Sequence, residues 1–133
     1  MNLKKITLTV LAIISIQFTT QAQTSLSCTY REYCTWNESS EEFENCEGYE
    51  ESSLFVLNDE ETMLTHTTET MNSTYYLSNR EYDSENGVYT FDATSDVGNK
   101  YYYVFDLDNK QIRLLFIRDD KTMLLRFTVK AVF

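Results

Sequence analysis

Every second residue from Met123 to Phe133 is apolar: Met123, Leu125, Phe127, Val129, Ala131 and Phe133. Arg126, Thr128 and Lys130 mark the opposite face. A period of two is the signature of a strand with one buried side. Upstream, similar segments rich in Tyr, Phe, Val, Ile and Thr alternate with short polar breaks. They predict strands over Ser53–Leu57, Thr62–Thr68, Thr74–Tyr82, Val88–Thr94, Lys100–Leu107 and Gln111–Arg118. The breaks are turn-formers: Asn58–Glu61, Asn86-Gly87, Asp96–Asn99, Asp108-Asn109 and Asp119-Asp120. Asn-Gly in particular suits a type I′ hairpin turn, which needs positive φ at two residues. Two strands are apolar on both faces. Leu114–Ile117 belongs in the middle of a sheet, and Lys100–Leu107 carries Tyr101, Tyr103 and Phe105 on one face and Tyr102 and Val104 on the other.

Residues 24–51 read less clearly. Leu26–Trp36 fits a strand. Residues 37–51 are acidic and polar, with Phe43, Cys46 and Tyr49 as anchors, and read as a long loop or one short helix. There is no proline to protect a sheet edge. Closing the sheet, or covering its edge with 37–51, would serve instead. Consecutive hairpins predict an all-β antiparallel meander of about seven to eight strands, closed as an up-and-down barrel or strongly curled. A two-sheet sandwich is the alternative.

The first 22 residues follow a different pattern. Lys4 and Lys5 precede an apolar run from Ile6 to Phe18, and Thr20-Gln21-Ala22 supplies a small-residue cleavage site. This is the grammar of a cleavable secretory signal, and the run is short for a spanning helix. A lipid anchor on Cys28 would want an apolar residue in place of Ser25. The expected product is one all-β domain over 23–133, with an acidic, cysteine-containing segment at 23–51, exported to the periplasm or beyond the cell.

Charge narrows the partners. The chain carries 21 acids against 11 Lys and Arg, two of which lie in the signal. Such a surface repels nucleic acid and anionic lipid, so neither a nucleic-acid partner nor membrane association of the mature form is expected. Residues 23–98 hold only Arg31 and Arg80 as bases, whereas residues 99–133 are net basic. This asymmetry predicts late basic strands lying beside early acidic ones. An acidic docking face is the rival reading.

Export also makes a disulfide expected among Cys28, Cys34 and Cys46. If Leu26–Trp36 is one strand, Cys28 and Cys34 are ~20 Å apart and cannot bond. Either could meet Cys46. The shorter Cys34–Cys46 loop is preferred, leaving Cys28 as the free thiol; Cys28–Cys46 is the alternative.

Candidate chemistry is sparse. His66 is the only histidine and sits in Thr65-His66-Thr67-Thr68, with no nucleophile motif to serve; it reads as structural. Asp106-Leu107-Asp108-Asn109-Lys110 starts like a calcium loop, but Lys110 and Gln111 replace a ligand and the required glycine. The glutamates of 41–51 read as solvated charge, and one histidine with oxidised cysteines is poor for zinc. Asn37-Glu38-Ser39 and Asn72-Ser73-Thr74 match the N-glycosylation pattern. No catalytic residue, metal site or cofactor is therefore assigned.

Tyrosine and phenylalanine are abundant, which suits strands, cavities and interfaces alike. The run of hairpins is similar to small calycin-like barrels in strand count only, and no lipocalin-type motif accompanies it. In a closed barrel, Tyr102, Val104, Leu114, Phe116, Leu125 and Phe127 are expected to face inward, with Ala93, Thr90 and Ser78 as smaller inward residues. That predicts a mostly filled interior with at most a small pocket, too small for a fatty acid. The function expected is a non-enzymatic binding module for a small apolar or aromatic molecule. The alternative is a protein-interaction or cell-surface-associated protein using an acidic, Tyr-rich face.

Overall fold

The computed structural model describes residues 23–133; the signal expected over 1–22 lies outside them. Eight strands follow one another with no helix between them: β1 (Thr24–Asn37), β2 (Glu42–Leu57), β3 (Met63–Thr67), β4 (Asn72–Asp83), β5 (Val88–Ser95), β6 (Lys100–Asp106), β7 (Gln111–Arg118) and β8 (Lys121–Val132). Each pairs antiparallel with the next, and β8 returns to β1, giving a closed barrel. Closure joins Leu26–Thr35 to Met123–Val132, and at the seam Ser25 and Phe133 exchange backbone hydrogen bonds of 2.7 and 2.8 Å. Closure pairs most strands on both sides and so answers most of the edge problem that the lack of proline poses; the outer part of β2, Glu42–Ser53, pairs on one side only. Closure also brings acidic and basic strands together. Glu32 of β1 accepts from Arg126 of β8, and Asp106 of β6 from Arg113 of β7. Arg113 and Arg126 face each other across the β7–β8 ladder, so each needs the acid on its outer side.

The reading of 37–51 as a loop or helix is corrected. Its C-terminal part, from Glu42, is the first half of β2, and only Glu38–Glu41 form the turn. Glu47 and Glu50 oppose Tyr33 and Tyr30 across the β1–β2 ladder. The segment escaped the strand pattern because Asn45–Glu50 is exposed on both faces, so no apolar alternation marks it. A bulge at Asn45, which has φ 58°, sets Cys46 beside Cys34. These two form the disulfide, with Cα atoms 4.2 Å apart, and Cys28 is free and buried.

The turns also differ from the sequence reading. The Asn86-Gly87 turn is not a two-residue type I′ loop, because only Gly87 has positive φ. The Asp83 carboxylate accepts the Glu85 and Asn86 N–H groups and draws out a four-residue loop. Asp119-Asp120 does take the type I′ role, with φ 52° and 63° between the paired Arg118 and Lys121.

The inward face is formed by Leu26, Cys28, Phe55, Leu64, Phe91, Tyr103, Ile112, Leu114, Leu125 and Phe127, among others, which pack together as one core. Leu114, Phe116, Leu125, Phe127 and Ala93 point inward as expected. Tyr102 and Val104 do not: Tyr101, Tyr103 and Phe105 take the inner face of β6. Val104 sits on the outer face, in register between Thr90 and Arg113, and Tyr102 is exposed. Thr90 pairs with Val104 and Ser78 with Asp92, so both are outward as well. With both faces of β6 apolar, the neighbours' register decides which one turns in.

Candidate functional site

Aromatic rings occupy the half of the interior nearest the 68–71 and 96–99 turns. His66 stacks on Phe55 with centroids 4.1 Å apart, and Phe127 meets the edges of both rings. Tyr103 contacts Phe55 and Tyr75, and Tyr75 contacts Tyr101. Arg31 lies over Phe127 and pairs with Glu51 at 3.2 Å. Burial, reinforced by the Arg31 charge, pulls His66 down to about 4, so it is neutral at ordinary pH. Burial likewise pushes the Tyr103 hydroxyl well above its ordinary range. Ser53 Oγ, His66 Nε2 and Tyr103 OH are buried without a hydrogen-bond partner. No nucleophile is therefore hydrogen-bonded to the His66 Nε2. Burial also pushes the Cys28 thiol up to about 12, which makes it a poor nucleophile.

The other mouth of the barrel is different. There a cleft of about 180 Å³ opens onto the core, lined by Leu26, Leu57, Tyr89, Phe91, Phe105 and Leu107, with Thr24 at its edge. Arg80 and Glu61 face one another across the rim, Arg80 Nε lying 2.5 Å from Glu61 Oε1. Both side chains are placed by irregular backbone. On β4, Ser78 pairs with Asp92 and Glu81 with Thr90, so Asn79 and Arg80 together oppose Phe91. This bulge, with Asn79 at φ 52° and hydrogen-bonded to Asp92, turns Arg80 toward the mouth. The guanidinium lies 4.8 Å above the Tyr89 ring. Glu61 stands at φ 59° in the β2–β3 turn. That turn is clamped by Asn58, whose Oδ1 accepts the N–H groups of Thr62 (2.8 Å) and Met63 (3.0 Å). The Thr62 carbonyl in turn accepts from the Leu77 N–H of β4.

The result is an apolar floor under a part-exposed ion pair. The sequence reading missed this site: its floor residues read as ordinary core, and nothing marks Arg80 as a rim residue. Phe91 and Phe105 carried the strand signal, but only the bulge register gives them a gap to line.

Among the described residues one grouping has metal-type ligands. Glu32, Cys34 and Cys46 place their donor atoms within 4.8 Å of one another. The two sulfurs are joined to each other and Glu32 is paired with Arg126, so the set offers no thiolate and no free carboxylate.

Compared with known proteins, the chain matches no family model, no curated protein and no solved structure.

Proposed function

We propose that this is an exported, non-enzymatic binding module that takes a small, largely apolar molecule into the cleft under Arg80. The observation that carries this reading is the apolar floor of Leu26, Leu57, Phe91 and Phe105 beneath a space of about 180 Å³. An apolar cavity near 150 Å³ holds one benzene-sized ring. The ligand class is therefore a single aromatic ring or a short branched aliphatic, not a long acyl chain. Arg80 adds a preference for a carboxylate or similar anion on that ring, which would take the place of Glu61 on the guanidinium at the opening. The signal over 1–22 and the disulfide support export to the periplasm or the exterior. His66, buried and held neutral, and Cys28, whose thiol is pushed up by burial, are poor catalytic groups, which favours a binding role.

Trp36 would be a poor reporter, because it packs on Phe43 at the far end of the β1–β2 hairpin. Methyl NMR of Leu26, Leu57 and Leu107 during titration with benzoate, phenylacetate and toluene tests the proposal. Saturable shifts at these methyls are expected. They should vanish in Leu57→Trp, whose side chain fills the cleft, and the anions should weaken relative to toluene in Arg80→Gln. Shifts scattered over the surface, or none with any compound, would sink it.

A further inference from the structure

The ladder of β2 is one-sided over most of its length. Its last four residues, Leu54–Leu57, pair with β3, while Glu42–Ser53 pair with β1 alone. Among the described residues, the outer backbone edge of that stretch has no strand beside it. Yet the stretch is held extended: the Cys34–Cys46 disulfide ties it to β1, and Trp36 packs edge-on against Phe43. Asn37 also donates to Glu44, and the Tyr30 ring covers Gly48, where any Cβ would strike it. A braced, unpaired strand is a ready template for a further strand, with little left to order on binding.

We propose that this edge is a strand-addition site for an extended segment of another protein that carries lysine or arginine at alternate positions. Charge selects the partner. Glu42–Ser53 holds five glutamates and no lysine or arginine, so a second copy of the same edge is repelled. Beside the edge, between the hairpin and the β3–β4 turn, runs a cleft of about 690 Å³. Its lining includes Glu50, Glu51, Glu69, Tyr30 and Tyr49. Carboxylates next to tyrosine faces are what a cationic side chain recognises. Glu51 is already engaged by Arg31, which leaves Glu50 and Glu69 for the partner. The barrel-mouth cleft opens at the opposite end, so the two sites stand or fall separately.

The test uses the oxidised protein and a short peptide alternating lysine and valine. Two controls are its glutamate–valine twin and a version N-methylated along one edge. Backbone amide NMR is expected to shift over Glu44–Ser52, with slowed hydrogen exchange there, for the lysine peptide alone. Glu50→Lys with Glu69→Lys, both on the surface, should weaken binding by about tenfold or more, as should about 0.5 M salt. An unchanged circular dichroism spectrum confirms the variant is folded. Equal binding of the N-methylated peptide would reduce the effect to charge attraction and overturn strand addition. Shifts away from β2, no binding at all, or sedimentation showing self-association through this edge would overturn it too; the absence of binding would leave the glutamates as a guard against edge pairing.

Discussion

His66 is a titratable ring inside an aromatic stack, and its behaviour follows from what surrounds it. Phe55 and Phe127 pack against it and exclude water, and the positive charge of Arg31, itself paired with Glu51, adds to the cost of protonating it. The folded protein holds the imidazole neutral down to about 4, against an ordinary value of 6.5. Between those values the unfolded chain takes up a proton that the folded chain refuses. The stabilisation is thus complete above the unfolded value and is lost as the pH falls toward the folded one. The loss is up to about 3 kcal/mol. Urea unfolding at about pH 7, 5.5 and 4 should show this decline. In His66→Phe, which keeps the stack and removes both the proton and the unpartnered Nε2, the decline over this interval should largely disappear. An equal decline in the variant would place the acid sensitivity elsewhere.

Among the elements, the β1–β2 hairpin depends most on a covalent tie, because its exposed tip has little apolar surface of its own. The bridge closes a loop across a sequence separation of 12, for which the chain-entropy model gives about 3 kcal/mol. Cys34→Ala with Cys46→Ala should lose about that much in a denaturant titration. Exchange protection should fall first over Glu42–Glu50 while β4–β7 stay protected. The turn after β7 offers the opposite change. Asp119 and Asp120 both hold positive φ, which glycine and asparagine accept at less cost. Replacing the pair with Asn-Gly should raise stability by about 1 kcal/mol, read as a higher urea midpoint with unchanged slope. Legibility in the sequence follows the same physics. β3 to β8 were visible because one face of each meets the core and imprints a period of two. The outer half of β2 meets water on both faces and imprints nothing. The inner face of β6 is not legible in the sequence, because Tyr102 and Val104 are as apolar as the residues that turn inward. The rim pair Glu61–Arg80 was invisible because it depends on a bulge, and a bulge is a property of two strands in register.

For the whole molecule, net charge and closure pull in different directions. Few bases stand against 21 acids, and the glutamates of β2 have only Arg31 near them. The Glu32–Arg126 and Asp106–Arg113 pairs weaken in salt, but so does the repulsion among many more unpaired carboxylates. Repulsion should win. Raising salt from low to about 0.5 M is expected to stabilise the fold by about 1 kcal/mol, or about 4 °C in Tm, in differential scanning calorimetry. A lower Tm in salt would mean that these two ion pairs, with Arg31–Glu51 and Arg80–Glu61, outweigh the acidic excess.

The hydrogen bonds between Ser25 and Phe133 make the described chain a ring in all but covalency. In a ring, no strand is intrinsically first, and chain order only decides which seam must be closed from afar. As the protein is built, that task falls to β1 and β8, which share nine paired positions, while the four-pair β2–β3 seam is joined by a tight turn. The costliest loop closure is thus matched to one of the longer ladders. A circular permutant linking Phe133 to Thr24 and opened between Asn58 and Thr62 would reverse that match. It would keep every native pairing and hand the distant closure to the weakest seam, so it should reach the same barrel far more slowly.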